Sequence, residues 1–286
     1  LTATSTTTTT CGSAGTTYTY NAANQTTNTG WTFDANGNET AAAGGLPRTG
    51  ESYNDLNQLT AITRSGTTSA ATYTGTTNAE RLTFGATDFY HGSEGLSATV
   101  TGGTETGFVR EPSGSLTAMS TGEAHYYYLT DAQGSVIAMT DKNGNKINTY
   151  AYDPYGNART TTEAVPNPLR YTSTYLDPTG QYKMSARYYD PSLGRFTQPD
   201  PSGRESNTYA YAAGDPINQV DPTGLGFISA VKRVTKKSMS LALEGMVGGC
   251  VSGLAGGPWS CAAGAGIGVV GGTVAGLASG VYDELS

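Results

Sequence analysis

At 286 residues, with 36% hydrophobic and only 14% charged residues, the chain is neither a charge-driven disordered polymer nor a typical charged globule. Its formal net charge of −7 disfavours nucleic acid as the partner of the whole chain. Three cysteines (Cys11, Cys250, Cys261) make no zinc or redox pattern, and two histidines (His91, His125) support neither a histidine metal site nor a histidine-based triad, so no cofactor or metal is expected.

The remaining polar bulk is Thr, Gly, Asn and Ser, which suits exposed strand faces and turns. Leu1 opens the chain with no initiator Met, basic n-region or apolar h-region, which reads as the C-terminal piece of something longer, with any export signal on the missing part. Residues 1–10 are nearly pure Ser/Thr, a frayed edge or the remains of a strand that has lost its partner. From Thr17 a loose repeat appears: YTYNAANQTTNTG, WTFDANGNET, ESYNDLNQLTAI and, later, YAYDPYGNARTTT. The pairs Tyr18/Tyr20, Trp31/Phe33 and Tyr150/Tyr152 have period two, which puts each pair on one face of a strand. Asn-Gly, Asp-Pro and Gly-Asn steps supply the turns between strands. A period of about twenty residues fits either a β-solenoid or an extended strip of hairpins.

Residues 75–123 keep the strand–turn rhythm without the motif. Residues 126–159, with Asn143-Gly144 as a strong hairpin signal, are expected to form the best meander. From Gly226 the composition changes. Apolar residues take helical spacing, with Lys232, Arg233, Lys236 and Lys237 near the start. Two glycine series follow: Gly245, Gly249, Gly253 and Gly257, then Gly264, Gly268, Gly272, Gly276 and Gly280. Four-residue spacing stacks glycines on one helix face and permits close helix approach. Gly257-Pro258 marks a turn, so a helical hairpin near the lower length limit for a bilayer is the simplest architecture for 226–286. Cys250 and Cys261 flank that bend, where an oxidising compartment would let them form a disulfide.

The most organised stretch is 187–225, RYYDPSLGRFTQPDPSGRESNTYAYAAGDPINQVDPTGL. With YLTDAQGSV and YAYDPYGN before it, this stretch resembles the Rhs/YD-repeat family, which includes bacterial polymorphic toxins, C components of insecticidal toxin complexes and teneurin shells. The likeness covers roughly residues 17–225 and is specific from about Tyr126 on. It implies a mainly β fold: an antiparallel hairpin strip of a YD-repeat shell, incomplete at its N-terminus, followed by the small helical tail. The corresponding division is 1–125 (degenerate repeat strip), 126–225 (Rhs repeat-associated core) and 226–286 (variable tail, candidate toxin).

The resemblance also implies intramolecular aspartyl-type cleavage. Carried over residue by residue, the two aspartates are Asp200 of PDPSG and Asp221 of VDPTGL, the supporting arginine is Arg187 of RYYDP, and the cut falls between Leu225 and Gly226. The sequence departs from the family pattern in a short link between Gly203 and Asn207 and in Asp215 before Pro216. Two carboxylates sharing a site do not both ionise cheaply, so one keeps a proton to polarise the scissile carbonyl while the other activates water.

Plainer readings stand beside these. Asp-Pro is a common turn pair, and Asp153-Pro154, Asp177-Pro178 and Asp190-Pro191 read as structural turns. Arg187 reads equally as a salt bridge between layers. The basic group at 232–237 is a solvated helix face or a membrane-surface contact, and the glycine series is packing filler or a membrane-active device. The leading function is a secreted or cell-surface polymorphic toxin used in bacterial competition. Its shell encloses and releases its own C-terminal segment, with a target membrane and an immunity protein as further partners. The competing reading is a surface adhesion or recognition protein whose tail is a membrane anchor.

Overall fold

The computed structural model describes residues 3–5, 16–226 and 228–229. Their main feature is a twelve-stranded antiparallel sheet running from Thr49–Tyr53 to Ala158–Thr162, in which each strand bonds to the next in sequence. The repeat therefore forms a strip of hairpins and not a solenoid coil. Period-two burial is visible in Lys146–Tyr152, where Asn148 and Tyr150 turn inward and Ala151 faces out. The inward rings meet in stacked and edge-on pairs, such as Tyr150–Tyr152 at 6.5 Å and Tyr18–Trp31 at 5.6 Å. Ala3–Ser5 is not partnerless: it pairs antiparallel with Thr16–Tyr18.

One turn joins many of these strands, and its chemistry is local. In 141–145, the Asp141 Oδ1 accepts N–H groups from Asn143 (2.8 Å) and Asn145 (2.9 Å), and Gly144 N–H reaches the Asp141 carbonyl (3.1 Å). Gly144 has φ +82°, a conformation glycine adopts without a Cβ clash. The second oxygen, Oδ2, accepts the Asn145 side-chain amide at 2.9 Å. The turns at Asp34/Asn38 and Asp153/Asn157 close Oδ2 in the same way, at 2.8 and 2.9 Å. A side chain that satisfies its own turn's N–H groups makes this turn nearly independent of its surroundings.

Residues 165–226 pack on the inner face of the strip around a four-stranded sheet of Tyr175–Leu176, Tyr182–Met184, Arg187–Asp190 and Arg195–Phe196. Leu169 joins the strip's Phe108, Leu116, Met119 and Val136, and Tyr188 joins Leu59, Ile62, Phe84 and Phe89. Two buried ion pairs cross the same boundary. Arg81 grips Asp177 through two bonds of 2.6 and 2.7 Å, and Arg48 donates to Asp190 at 2.8 Å while also meeting Glu39 and Glu51. Asp177 and Asp190 are thus anchors of the inner sheet, in line with their structural reading.

Among the described residues the only helical elements are the short 3₁₀ turns Tyr171–Ser173 and Ala212–Gly214, and no helix is long and apolar enough to cross a membrane. The helical hairpin expected for the tail, with its glycine series and Cys250 and Cys261, lies outside the described residues.

Candidate functional site

The segment Asp221-Pro222-Thr223-Gly224-Leu225 is another copy of the repeat turn. Leu225 N–H and the Thr223 hydroxyl donate to Asp221 Oδ1 at 3.3 and 3.1 Å, and Gly224 has φ +64°. The copy differs at its fifth position, where Leu225 has no amide to offer Oδ2. That oxygen accepts Arg187 Nη2 at 3.1 Å and the N–H of Gly226, also at 3.1 Å. The Gly226 nitrogen belongs to the Leu225–Gly226 peptide bond, so Asp221 lies directly against the amide of the expected cut. Asp221 is fully buried, whereas the Leu225 side chain is 40% exposed.

Arg187 organises the surroundings. It is 1% exposed, and its guanidinium lies 3.5 Å from the Phe196 ring centroid. Its Nε donates to the Gly224 carbonyl at 2.6 Å and its Nη1 to the Thr208 carbonyl at 3.0 Å. The same Thr208 carbonyl accepts Asp200 N–H at 2.8 Å, so one arginine ties the Asp221 turn to the Asp200 turn. Burial pulls the Arg187 pKa down, against the opposing fields of Asp221, Asp200 and Glu205. Gly224 allows this close seating: a Cβ there would stand 2.6 Å from the Met184 carbonyl oxygen and 3.0 Å from Arg187 N.

Asp200 heads a turn of its own. Ser202 N–H reaches Oδ1 at 2.8 Å, while the Ser202 hydroxyl and Arg204 N–H reach Oδ2 at 2.8 and 3.2 Å. Burial raises its pKa, but the Ser202 bonds, the field of Arg187 and the Arg204 N–H outweigh burial and leave it below the ordinary aspartate value. Asp200 is therefore ionised at neutral pH. A third acid, Glu205, stands in the electrostatic field of Arg187, Asp221 and Asp200, and its Oε1 is buried without a hydrogen-bond partner. Burial lifts its pKa, Arg187 pulls it down, and the two aspartates push it up again. Sequence reasoning did not single out Glu205; the signal available was the short link between Gly203 and Asn207, in which it sits. Among the described residues no group of three or more His, Cys, Asp and Glu is arranged to hold a metal ion.

The teneurin YD-shell family matches residues 100–218. Over these residues the chain is similar to teneurin and Rhs-type YD shells. The chain is 37% identical over 109 residues to the tRNA nuclease WapA of Bacillus subtilis, a match covering 35% of this chain and 5% of WapA. It is 32% identical over 133 residues to toxin subunit YenC1 of Yersinia entomophaga, covering 43% of this chain and 14% of YenC1. The chain thus corresponds to a small part of the curated relatives it matches. In fold it is similar to the Photorhabdus luminescens Tc holotoxin pore, with a TM-score of 0.56 at 19% identity, over 74% of this chain and 12% of that one.

Proposed function

We propose that this chain cuts its own backbone between Leu225 and Gly226 and so releases its segment 226–286 from the shell. The observation that carries the reading is the Gly226 N–H donated to Asp221 Oδ2 at 3.1 Å, on a carboxylate already held by Arg187. In this reading Asp200, ionised by its own turn, takes a proton from the water that adds to the Leu225 carbonyl carbon. The Leu225–Gly226 bond then breaks as the proton held by Asp200 passes to the Gly226 nitrogen, whose own N–H stays on Asp221 Oδ2, and the hydroxyl proton of the new Leu225 carboxyl is released to solvent. Leu225 becomes a free carboxylate and Gly226 a free amine. Arg187, bonded to the Gly224 carbonyl, keeps the preceding peptide from moving during attack. Each molecule turns over once.

Named toxins and a nuclease among the relatives favour an exported polymorphic toxin with the released segment as cargo, and a cognate immunity protein fits that picture. For the cargo itself, the two glycine series, the bend at Gly257-Pro258 and the basic group at 232–237 favour action on an anionic membrane. Intact-mass analysis of the purified chain tests the release: fragments 1–225 and 226–286 support it. A whole chain recovered in membranes favours the adhesion protein with an anchoring tail. Dye release from anionic liposomes by peptide 226–286 tests the membrane action, and no leakage at about micromolar peptide ends it.

A further inference from the structure

Among the repeat turns, those with Asn at the fifth residue form a distinct class. Where it is Asn, as in Asn38, Asn145 and Asn157, its side-chain amide takes the aspartate's Oδ2 and closes the turn on itself. Asp200 (fifth residue Arg204) keeps Oδ2 on Ser202 and Arg204 within its own turn, whereas in three other turns the aspartate reaches out to an arginine. Asp177 (fifth residue Gln181) meets Arg81, Asp190 (Gly194) meets Arg48, and Asp221 (Leu225) meets Arg187. Asp221 alone among these three also accepts the N–H of the residue that follows its turn, Gly226.

Building on the self-cleavage reading, we propose that Leu225 is a specificity-determining residue because it withholds an amide from Asp221 Oδ2. Its side chain is 40% exposed, so no enclosing pocket reads its shape. What the site needs at 225 is the absence of a local donor. An Asn at 225 would present the same amide that closes the turns at Asp34, Asp141 and Asp153. Asp221 Oδ2 would then be saturated from within its turn, in competition with both Arg187 and the scissile N–H. In this reading an Asn at the fifth residue closes a YD turn, while the Asp221 turn stays open because Leu225 is silent, Arg187 faces it and Gly226 N–H reaches the same oxygen.

The test is the rate of processing of the full chain in three forms, parent, Leu225→Asn and Leu225→Ala, followed by intact mass from the moment of refolding. Leu225→Asn is expected to slow the cut by at least about tenfold, while Leu225→Ala stays within about threefold of the parent. Thermal melts of each form carrying Asp200→Asn, which keeps the chain whole, check folding; the two position-225 variants are expected to melt within about 2 °C of each other. Equal rates for parent and Leu225→Asn overturn the inference, and so does a Leu225→Ala as slow as Leu225→Asn, which would mean that the leucine shape is read. A parent that never cuts overturns the self-cleavage reading and this inference with it.

Discussion

Arg187 and Asp221 meet at 3.1 Å in a site where the arginine is 1% exposed and the aspartate fully buried. Removing one partner of such a pair leaves an uncompensated charge, at a cost of about 3–5 kcal/mol. Arg187→Ala is therefore expected to lower the urea midpoint markedly and to slow processing without moving the cut. Arg187→Lys keeps the charge but loses the planar fork that reaches Gly224, Thr208 and Asp221 together, so it too should process slowly. Processing of either variant at the parent rate contradicts the role given to Arg187.

Gly224→Ala places a Cβ 2.6 Å from the Met184 carbonyl oxygen at a φ of +64°. The Asp221 turn is expected to lift away from Arg187, leaving a folded but unprocessed chain. Strain of this kind costs about 1–3 kcal/mol, so the melt should show a moderate loss while the mass spectrum shows a full-length species.

Three buried carboxyls, Glu39, Glu51 and Asp190, share the single guanidinium of Arg48. Burial lifts Glu39 from 4.5 to about 7 against the pull of Arg48, and lifts Glu51 to about 8 by the same balance. A folded-state value above the unfolded one means the stabilisation is complete below the unfolded pKa and is lost as pH rises through the folded one. Unprocessed Asp221→Asn protein is therefore expected to melt lower at about pH 9 than at about pH 6, with Glu51→Gln flattening that difference. A melting temperature that rises across this interval contradicts the charge balance.

The strip and its turns were legible because their determinants are local. Period-two aromatics such as Tyr150/Tyr152 and the Asp141–Asn145 turn need only a few neighbouring residues, and they form hairpins as read. The repeat period alone did not separate strip from solenoid, since both bury the same faces; the strip was named through the family resemblance and is what forms. Nor were the buried pairs Arg48–Asp190 and Arg81–Asp177, which join positions 142 and 96 residues apart with no pattern to announce them. At the candidate site, Arg187, Asp200 and Asp221 came from an ordered motif, and the structure ties all three through Arg187 and the Thr208 carbonyl. Glu205 was not singled out because the short 203–207 link marks only its neighbourhood, while its unpartnered buried oxygen shows only in the folded chain.

Glu205 gives the site a third carboxyl whose pKa is raised by burial and by the two aspartates, against Arg187. As pH rises through that value a further negative charge enters beside Asp200 and Asp221. Glu205→Gln is expected to leave the cut in place and to weaken the alkaline fall in processing rate, read from a rate profile between about pH 4 and about pH 9. An unchanged profile contradicts the placement of Glu205 in the site's charge balance.

The most direct measurement is intact mass with N-terminal sequencing of the purified parent beside Asp200→Asn, Asp221→Asn and the double variant. The account predicts a parent fragment beginning at Gly226 and one full-length species in each Asn variant, because an amide cannot take a proton from water or serve the leaving nitrogen. Processing of the double variant as fast as the parent, or a parent fragment beginning elsewhere, would contradict it.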